Sequence, residues 1–238
     1  MDILPYITSD NFRFIKPLQR LPSFVTAYLY DHPRLQTCVE QWNAADKQNT
    51  TLRKELSGLA CKRFSTLAIG VLLQKLVAQL PLEQCYLNIG TWYGFSLFAG
   101  MYGNADKQCI GIDDFSLSHA VRDPFYRDFA RLRSPAHAFH EMDFRRYLRM
   151  EHQCPIGLYA FDGPHDEQSQ YDALTLAEPF FAKNCIIIVD DTNWPEPRSA
   201  TERFLQERPH RYDIIADVPT AFDRHPTLWN GLMILQKR

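Results

Sequence analysis

Asp162, His165 and Asp191 are the residues of this 238-residue chain whose types and spacing could do the most chemistry. They stand in two polar stretches, Asp162-Gly163-Pro164-His165 and Asp190-Asp191-Thr192-Asn193, each directly after an apolar run. Hard divalent cations such as Mg²⁺ and Mn²⁺ take oxygen ligands and keep shell positions for water or substrate oxygens. Two carboxylates at neighbouring strand ends, 29 positions apart (162 to 191), can converge on one such ion. An ion held there lowers the pKa of a hydroxyl it touches, and His165 can take the proton. Each feature also has an ordinary reading. Asp162-Gly163 can be a turn, Asp190-Asp191 the cap of a helix beginning near Pro195, and His165 a structural side chain.

A second stretch, YLNIGTWYGFSLFAG (86–100), supplies Gly90 and Gly94 with Ser96 close behind. Glycine permits positive φ and lets backbone approach a ligand closely. The spacing GTWYG is not the GxGxxG that brings a helix N-terminus onto a pyrophosphate. Asp113 follows Gly90 by 23 positions (90 to 113), where a nucleoside-binding fold needs a carboxylate for the ribose hydroxyls. The combination points to a nucleoside ligand without phosphates.

These residues must be positioned by alternating strands and helices. Apolar positions from Ala60 and Phe64 through Leu80 recur at helical spacing and predict a helix ending near Pro81. Strands are predicted at CYLNI (85–89), CIGI (109–112), HAFHEM (137–142), GLYAF (157–161) and CIIIV (185–189). Helices are predicted from GFSLFAGMY, after an Asp123-Pro124 start, from DEQSQYDALTLAEPFFAK, and from SATERFLQE. Continuous apolar strands suit a parallel sheet covered on both faces. YDIIADV (212–218) and GLMILQ (231–236) follow with no helical segment between them and should pair antiparallel. The expected fold is α/β, a doubly wound, mostly parallel seven-stranded sheet with a C-terminal antiparallel hairpin. In such sheets ligands bind outside the carboxyl ends of the strands, where Gly90 to Ser96, Asp113, Asp114, Asp143, Asp162 and Asp190-Asp191 all fall. Residues 1–57 read as an irregular, proline-containing arm followed by one or two helices, serving as lid, substrate selector or dimer contact, and 58–238 as the catalytic domain.

A net charge of −2 gives no electrostatic reason to expect nucleic acid. Arginine clusters (Arg145, Arg146 and Arg149; Arg122, Arg127, Arg131 and Arg133) read as solvated helix faces. The six cysteines show no metal-binding spacing and read as reduced. With no signal-peptide pattern and no membrane-spanning apolar run, the expected location is cytoplasmic. His119, His137, His140, His210 and His225 lack partner spacing and read as structural.

YLNIGTWYGFS, CIGIDDF, YAFDGPHDEQSQYDAL and CIIIVDDTNW, in this order, resemble the class I S-adenosylmethionine-dependent methyltransferases. The likeness is nearest to the metal-dependent branch acting on hydroxyls, which includes the macrocin-type sugar O-methyltransferases, and it spans about 58–238. The resemblance implies S-adenosylmethionine as cofactor, a Mg²⁺ or Mn²⁺ ion, and a small-molecule or sugar acceptor. Gly90, Thr91, Trp92, Tyr93, Gly94 and Ser96 would cradle the methionine part, Asp113 with Asp114 the ribose side, and Asp143 with Met142 the adenine. Asp162 and Asp191, assisted by Asp190, would hold the metal, and His165 would be the general base. Asn88 departs from the family, which carries an acidic residue there near the cofactor's amino group. Two rivals follow: a ligand-binding domain without turnover, supported by Asn88, and a hydroxylase-type relative. The second is disfavoured because only one histidine is at hand for a two-His-one-carboxylate iron site.

Overall fold

The computed structural model describes residues 16–22, 50–57 and 64–238, so most of the predicted arm, the helix start at Ala60, and Cys38 and Cys61 lie outside the described residues. The described chain forms α1 (Thr50–Ser57), α2 (Leu67–Ala78), β1 (Cys85–Ile89), α3 (Phe95–Met101), β2 (Gln108–Asp113), α4 (Arg122–Leu132) and β3 (His137–Glu141). It continues with α5 (Phe144–Met150), β4 (Ile156–Phe161), α6 (Glu167–Ala177), β5 (Phe181–Asp190), α7 (Pro195–Gln206), β6 (Tyr212–Val218) and β7 (Leu232–Lys237).

The strands make one seven-stranded sheet in the order β3-β2-β1-β4-β5-β7-β6. Pairings from β3 through β5 are parallel, and β7 is antiparallel to both β5 and β6. This is the expected α/β sheet with its antiparallel end. β1 and β4 are buried at every position, as uninterrupted apolar runs require of central parallel strands. Two apolar cores result. One joins α2, α3 and α4 to the sheet through Leu72, Leu76, Phe98, Phe125 and Phe129. The other joins α5, α6 and α7 through Tyr147, Leu174 and Phe204.

Several element boundaries differ from the sequence expectation for local reasons. α2 begins at Leu67 because the Thr66 hydroxyl accepts the Ile69 N–H and caps it, leaving Phe64 ahead of the helix. α4 begins at Arg122 rather than at an Asp123 cap, since a 3₁₀ turn at His119–Val121 runs directly into it. Asp123 lies inside the first turn instead, where negative charge suits the helix dipole. The predicted helix through Lys183 stops at Ala177; Glu178–Phe180 form a 3₁₀ turn holding Pro179, and β5 starts at Phe181. α7 starts at Pro195, four residues before the predicted SATERFLQE, because proline at the first position needs no N–H partner there.

Arg145 is not part of a solvated face. Its guanidinium donates to Asp172 Oδ2 at 2.7 Å and to Ser169 Oγ at 3.0 Å, tying α5 to α6. α1 falls within the predicted arm, yet Leu52 and Leu56 are buried in the first core. Residues 16–22 lie along the loop after β6, where the Pro17 carbonyl accepts the Ala221 N–H at 2.8 Å. The Gln19 carbonyl lies 3.0 Å from His225 Nε2 in the same place. Among the described residues no helix is long and apolar enough to cross a membrane.

Candidate active site

After β1 the chain moves outward to β2 and β3, and β4 then packs on the other side of β1, so the sheet reverses direction between β1 and β4. A crevice opens at such a reversal, at the carboxyl ends of the strands. A cavity of about 590 Å³ lies there, within the range of small-molecule sites. Gly90, Thr91, Trp92, Tyr93, Ser96, Asp113, Asp114, Asp143, Asp162, His165 and Asp191 all line it; Asn88, Gly94 and Asp190 do not.

The glycine loop is shaped by its neighbours. Gly90 has φ +80°, and a Cβ there would stand 1.9 Å from the Asp162 carbonyl oxygen, so the β1 and β4 loops touch backbone to backbone. Gly94 (φ +98°) precedes α3 and abuts the Phe98 ring. Asp113 clamps the loop: its Oδ2 accepts the Trp92 N–H at 2.7 Å and its Oδ1 accepts the Phe115 N–H at 2.7 Å. Trp92 and Phe115 both have positive φ (50° and 54°), a conformation these two bonds help to hold. Burial raises the Asp113 pKa, and the amide donors offset part of that rise. Asp114 accepts the Ser116 N–H at 2.9 Å. Asp143 accepts the Arg146 N–H at 3.0 Å and so caps α5 while its residue faces the cavity.

Asn88 is not among the residues that line the cavity. It is fully buried beneath the loop, where its Oδ1 accepts the Ser96 hydroxyl at 3.0 Å and its Nδ2 has no protein partner. A carboxylate at this depth would have one donor and no counter-charge in view. Asn88→Asp is therefore expected to lower stability by about 1–3 kcal/mol without tightening cofactor binding. Urea denaturation beside calorimetry checks both parts; tighter binding would show that the position does reach the ligand.

The β4 and β5 ends bring the predicted chemistry together. Donor atoms of Asp162, His165 and Asp191 all lie within 4.8 Å of one another. His165 Nε2 is 3.1 Å from Asp191 Oδ2 and 3.9 Å from Asp162 Oδ1. Asp162 keeps 34% of its side chain open to the cavity, whereas Asp191 keeps only 5%. Asp162 is nonetheless raised well above the ordinary carboxylate range, first by burial of its surroundings and then by the charges of Asp190, Asp191 and Asp113. Asp191 is raised by burial, against the pull of His165 and of a hydrogen bond from Asn230. Asp190 is raised by burial and by Asp191, and its Oδ1 accepts the Asp191 N–H at 2.9 Å. Two carboxylates of raised pKa, Asp162 and Asp191, with an imidazole beside them are a donor set that fits a divalent cation, and Asp190 is not among the converging donors.

Sequence reasoning missed the contacts from the loop of 219–231 that hold this cluster in place. Asn230, in the loop before β7, donates from Nδ2 to Asp191 Oδ1 at 2.6 Å and accepts the Arg224 N–H at 2.6 Å. Trp194 packs edge-on against His165 (centroids 5.1 Å apart) and donates its indole N–H to Asp223 at 2.7 Å. Asn193 binds the Thr220 backbone and hydroxyl, fastening the DDTNW segment to the same loop. Trp229, Arg224, Phe64 and Ser65 also line the cavity. The loop of 219–231 has no periodicity that could have announced any of this.

His137 and His225, read as structural, are buried among hydrogen-bond partners that include the Asn104 carbonyl and the Thr227 hydroxyl. Burial lowers the pKa of both.

A crevice at a reversal point, lined by a glycine loop and a carboxylate from the next strand end, lies where open α/β sheets bind their ligands. Residues 87–192, from β1 to just past Asp191, match the family model for a methyltransferase domain. No curated protein matches the chain by sequence. Among solved structures, the O-methyltransferase from Bacillus cereus in complex with SAH is similar at 16% identity and TM-score 0.58, covering 90% of this chain and 97% of that one. Cofactor-bound Rv0187 from MTB is similar at 16% identity and TM-score 0.60, covering 92% and 99%. The O-methyltransferase TomG from Streptomyces achromogenes, in complex with SAM, is similar at 13% identity and TM-score 0.55, covering 86% and 96%. At these identities the likeness establishes the fold.

Proposed function

We propose that the protein is an S-adenosylmethionine-dependent O-methyltransferase acting on a hydroxyl of a small molecule or sugar, with a divalent cation at Asp162 and Asp191. The observation that carries this reading is the convergence of Asp162, His165 and Asp191 at the edge of the cavity floored by the glycine loop and Asp113. When bound, the cofactor supplies an electrophilic methyl on a sulfonium, and the cation acidifies a hydroxyl that it touches.

The chain's own residues supply the rest. Asp113 Oδ1, which holds the Phe115 N–H, keeps a further lone pair for a ribose hydroxyl, while Oδ2 already accepts the Trp92 N–H and, at 3.4 Å, the Thr91 hydroxyl. Trp92, whose buried indole N–H has no protein partner, brings an unsatisfied donor to a residue lining the cavity. The lining carries five aspartates against one arginine, Arg224, among its described residues. Such a field attracts a cationic sulfonium and repels a phosphodiester backbone, which favours a small acceptor over nucleic acid.

His165 lies with Nε2 toward Asp191, so the neutral ring carries its proton there and presents the Nδ1 lone pair as base. Asp191 fixes that tautomer, Asn230 fixes Asp191, and Trp194 limits how the ring can turn. Proton removal and in-line attack are then matters of positioning. The free cysteines of the described chain suit a reducing compartment, which supports a cytoplasmic location.

Calorimetry with S-adenosylmethionine, with and without Mg²⁺, is the first test. Cofactor binding is expected in both conditions and acceptor methylation only with the metal. No cofactor binding sinks the reading, while full turnover in excess chelator removes only its metal part.

A further inference from the structure

At the amino ends of the central strands, opposite the carboxyl ends that face the cavity, a second group of ligating atoms converges. Cys85 opens β1, and His152 and Cys154 lie on the turn leading into β4. The Cys85 N–H donates to the Pro155 carbonyl at 2.9 Å, which draws that turn onto the first residue of β1. The Cys85 sulfur, the Cys154 sulfur and a ring nitrogen of His152 consequently lie within 4.8 Å of one another. Cys85 and His152 are buried and Cys154 is half-buried.

We propose that Cys85, His152 and Cys154 form a site for a thiophilic divalent cation of the Zn²⁺ type, separate from the oxygen-donor cluster at Asp162 and Asp191. Zn²⁺ takes cysteine sulfur and histidine nitrogen in a four-coordinate shell, and three protein ligands leave one position for water at the half-exposed Cys154 side. Two thiolates, a neutral imidazole and a dication sum to zero charge, so the ensemble avoids the penalty that burial imposes on a lone ion. The binding form of cysteine is the thiolate.

The histidine is set up in the manner of a ligand. Its Nε2 lies 2.8 Å from the Cys154 carbonyl oxygen, which can only accept, so that nitrogen carries the proton. The lone pair is left on Nδ1, 3.2 Å from the Tyr147 hydroxyl. Metal-bound histidines commonly donate their other N–H to a backbone carbonyl in this way. Phe180, edge-on to His152 at 4.8 Å, adds an apolar wall. An ion here would fasten the entry of β4 to the start of β1, the two strands whose far ends form the crevice.

Titrating the reduced full-length protein with Cd²⁺ tests the assignment. A thiolate-to-cadmium charge-transfer band should saturate at one equivalent, and Zn²⁺ should abolish it by displacement. The band should be lost in Cys154→Ser, a change expected to leave S-adenosylmethionine binding intact because it lies at the opposite end of the strands from the cavity. In the unmodified protein, Zn²⁺ should protect Cys154 from alkylation by iodoacetamide, a readout that depends on no variant folding. Absence of the band, its persistence in Cys154→Ser, or alkylation of Cys154 unaltered by Zn²⁺ each overturns the proposal.

Discussion

His165→Gln is expected to lower kcat by about 10²–10⁴ while leaving the S-adenosylmethionine Kd within about twofold of the parent value. Glutamine keeps a donor for Asp191 and much of the volume that Trp194 packs against, so the surrounding structure should persist. It cannot take a proton. The measurement is release of S-adenosylhomocysteine across a panel of catechols and sugar diols, comparing both proteins on the best acceptor. The same variant also separates the two roles that the geometry allows the imidazole, because the three donor atoms lie within 4.8 Å and His165 could be a third ligand. As a base, its loss leaves Mn²⁺ affinity unchanged; as a ligand, its loss weakens Mn²⁺ binding by about tenfold or more. Turnover equal to that of the parent would remove His165 from the chemistry altogether.

What made this site readable in sequence was its placement at strand ends. CYLNI and YDIIADV coincide with β1 and β6, because an apolar run bounded by polar residues leaves few alternatives to a buried strand. Once the strands are fixed, the rule that ligands collect at their carboxyl ends delivers Asp113, Asp162 and Asp191 without further information. Helix limits were less readable, since they depend on single capping bonds and prolines, such as Thr66 to Ile69 and Pro195 at the start of α7.

Contacts across long sequence separations were not readable at all. Asn230 reaches Asp191 over 39 positions (191 to 230), from a loop whose fold is set by bonds such as Thr220 to Asn193. Asn88 is a different case: the sequence pattern marks its position but does not show that its Oδ1 accepts the Ser96 hydroxyl beneath α3. Cys85, His152 and Cys154 escaped for a related reason: metal-site spacing rules describe ligands on one local motif, and here the ligands meet only because β1 and β4 are neighbours.

The second large effect is expected at Asp162, where Asp162→Asn should abolish Mn²⁺ binding and cut kcat/KM by about 10²-fold or more, yet raise Tm in metal-free buffer. The sign follows from the charges. Burial and the neighbouring Asp190, Asp191 and Asp113 raise the Asp162 pKa in the folded state above its unfolded value. Between those two values the folded chain binds the proton that the unfolded chain has released, so stability falls as pH rises through that window. Above it the full cost is present, and below the unfolded value it vanishes.

An uncharged asparagine carries no such cost. Its gain should therefore be seen at pH 8 and be absent near pH 4. The gain is modest, about 1 kcal/mol or roughly 2–4 °C, because a third of the side chain reaches water. Adding Mn²⁺ reverses the order of the two proteins. At a hundred times its Kd the ion stabilises the parent by about 2.7 kcal/mol and leaves the variant unmoved. Thermal melts at the two pH values, each with and without Mn²⁺, give all four quantities. A variant that melts below the parent at pH 8 without metal, or that still gains from Mn²⁺, would show that the Asp162 carboxylate is held there for a reason other than a cation.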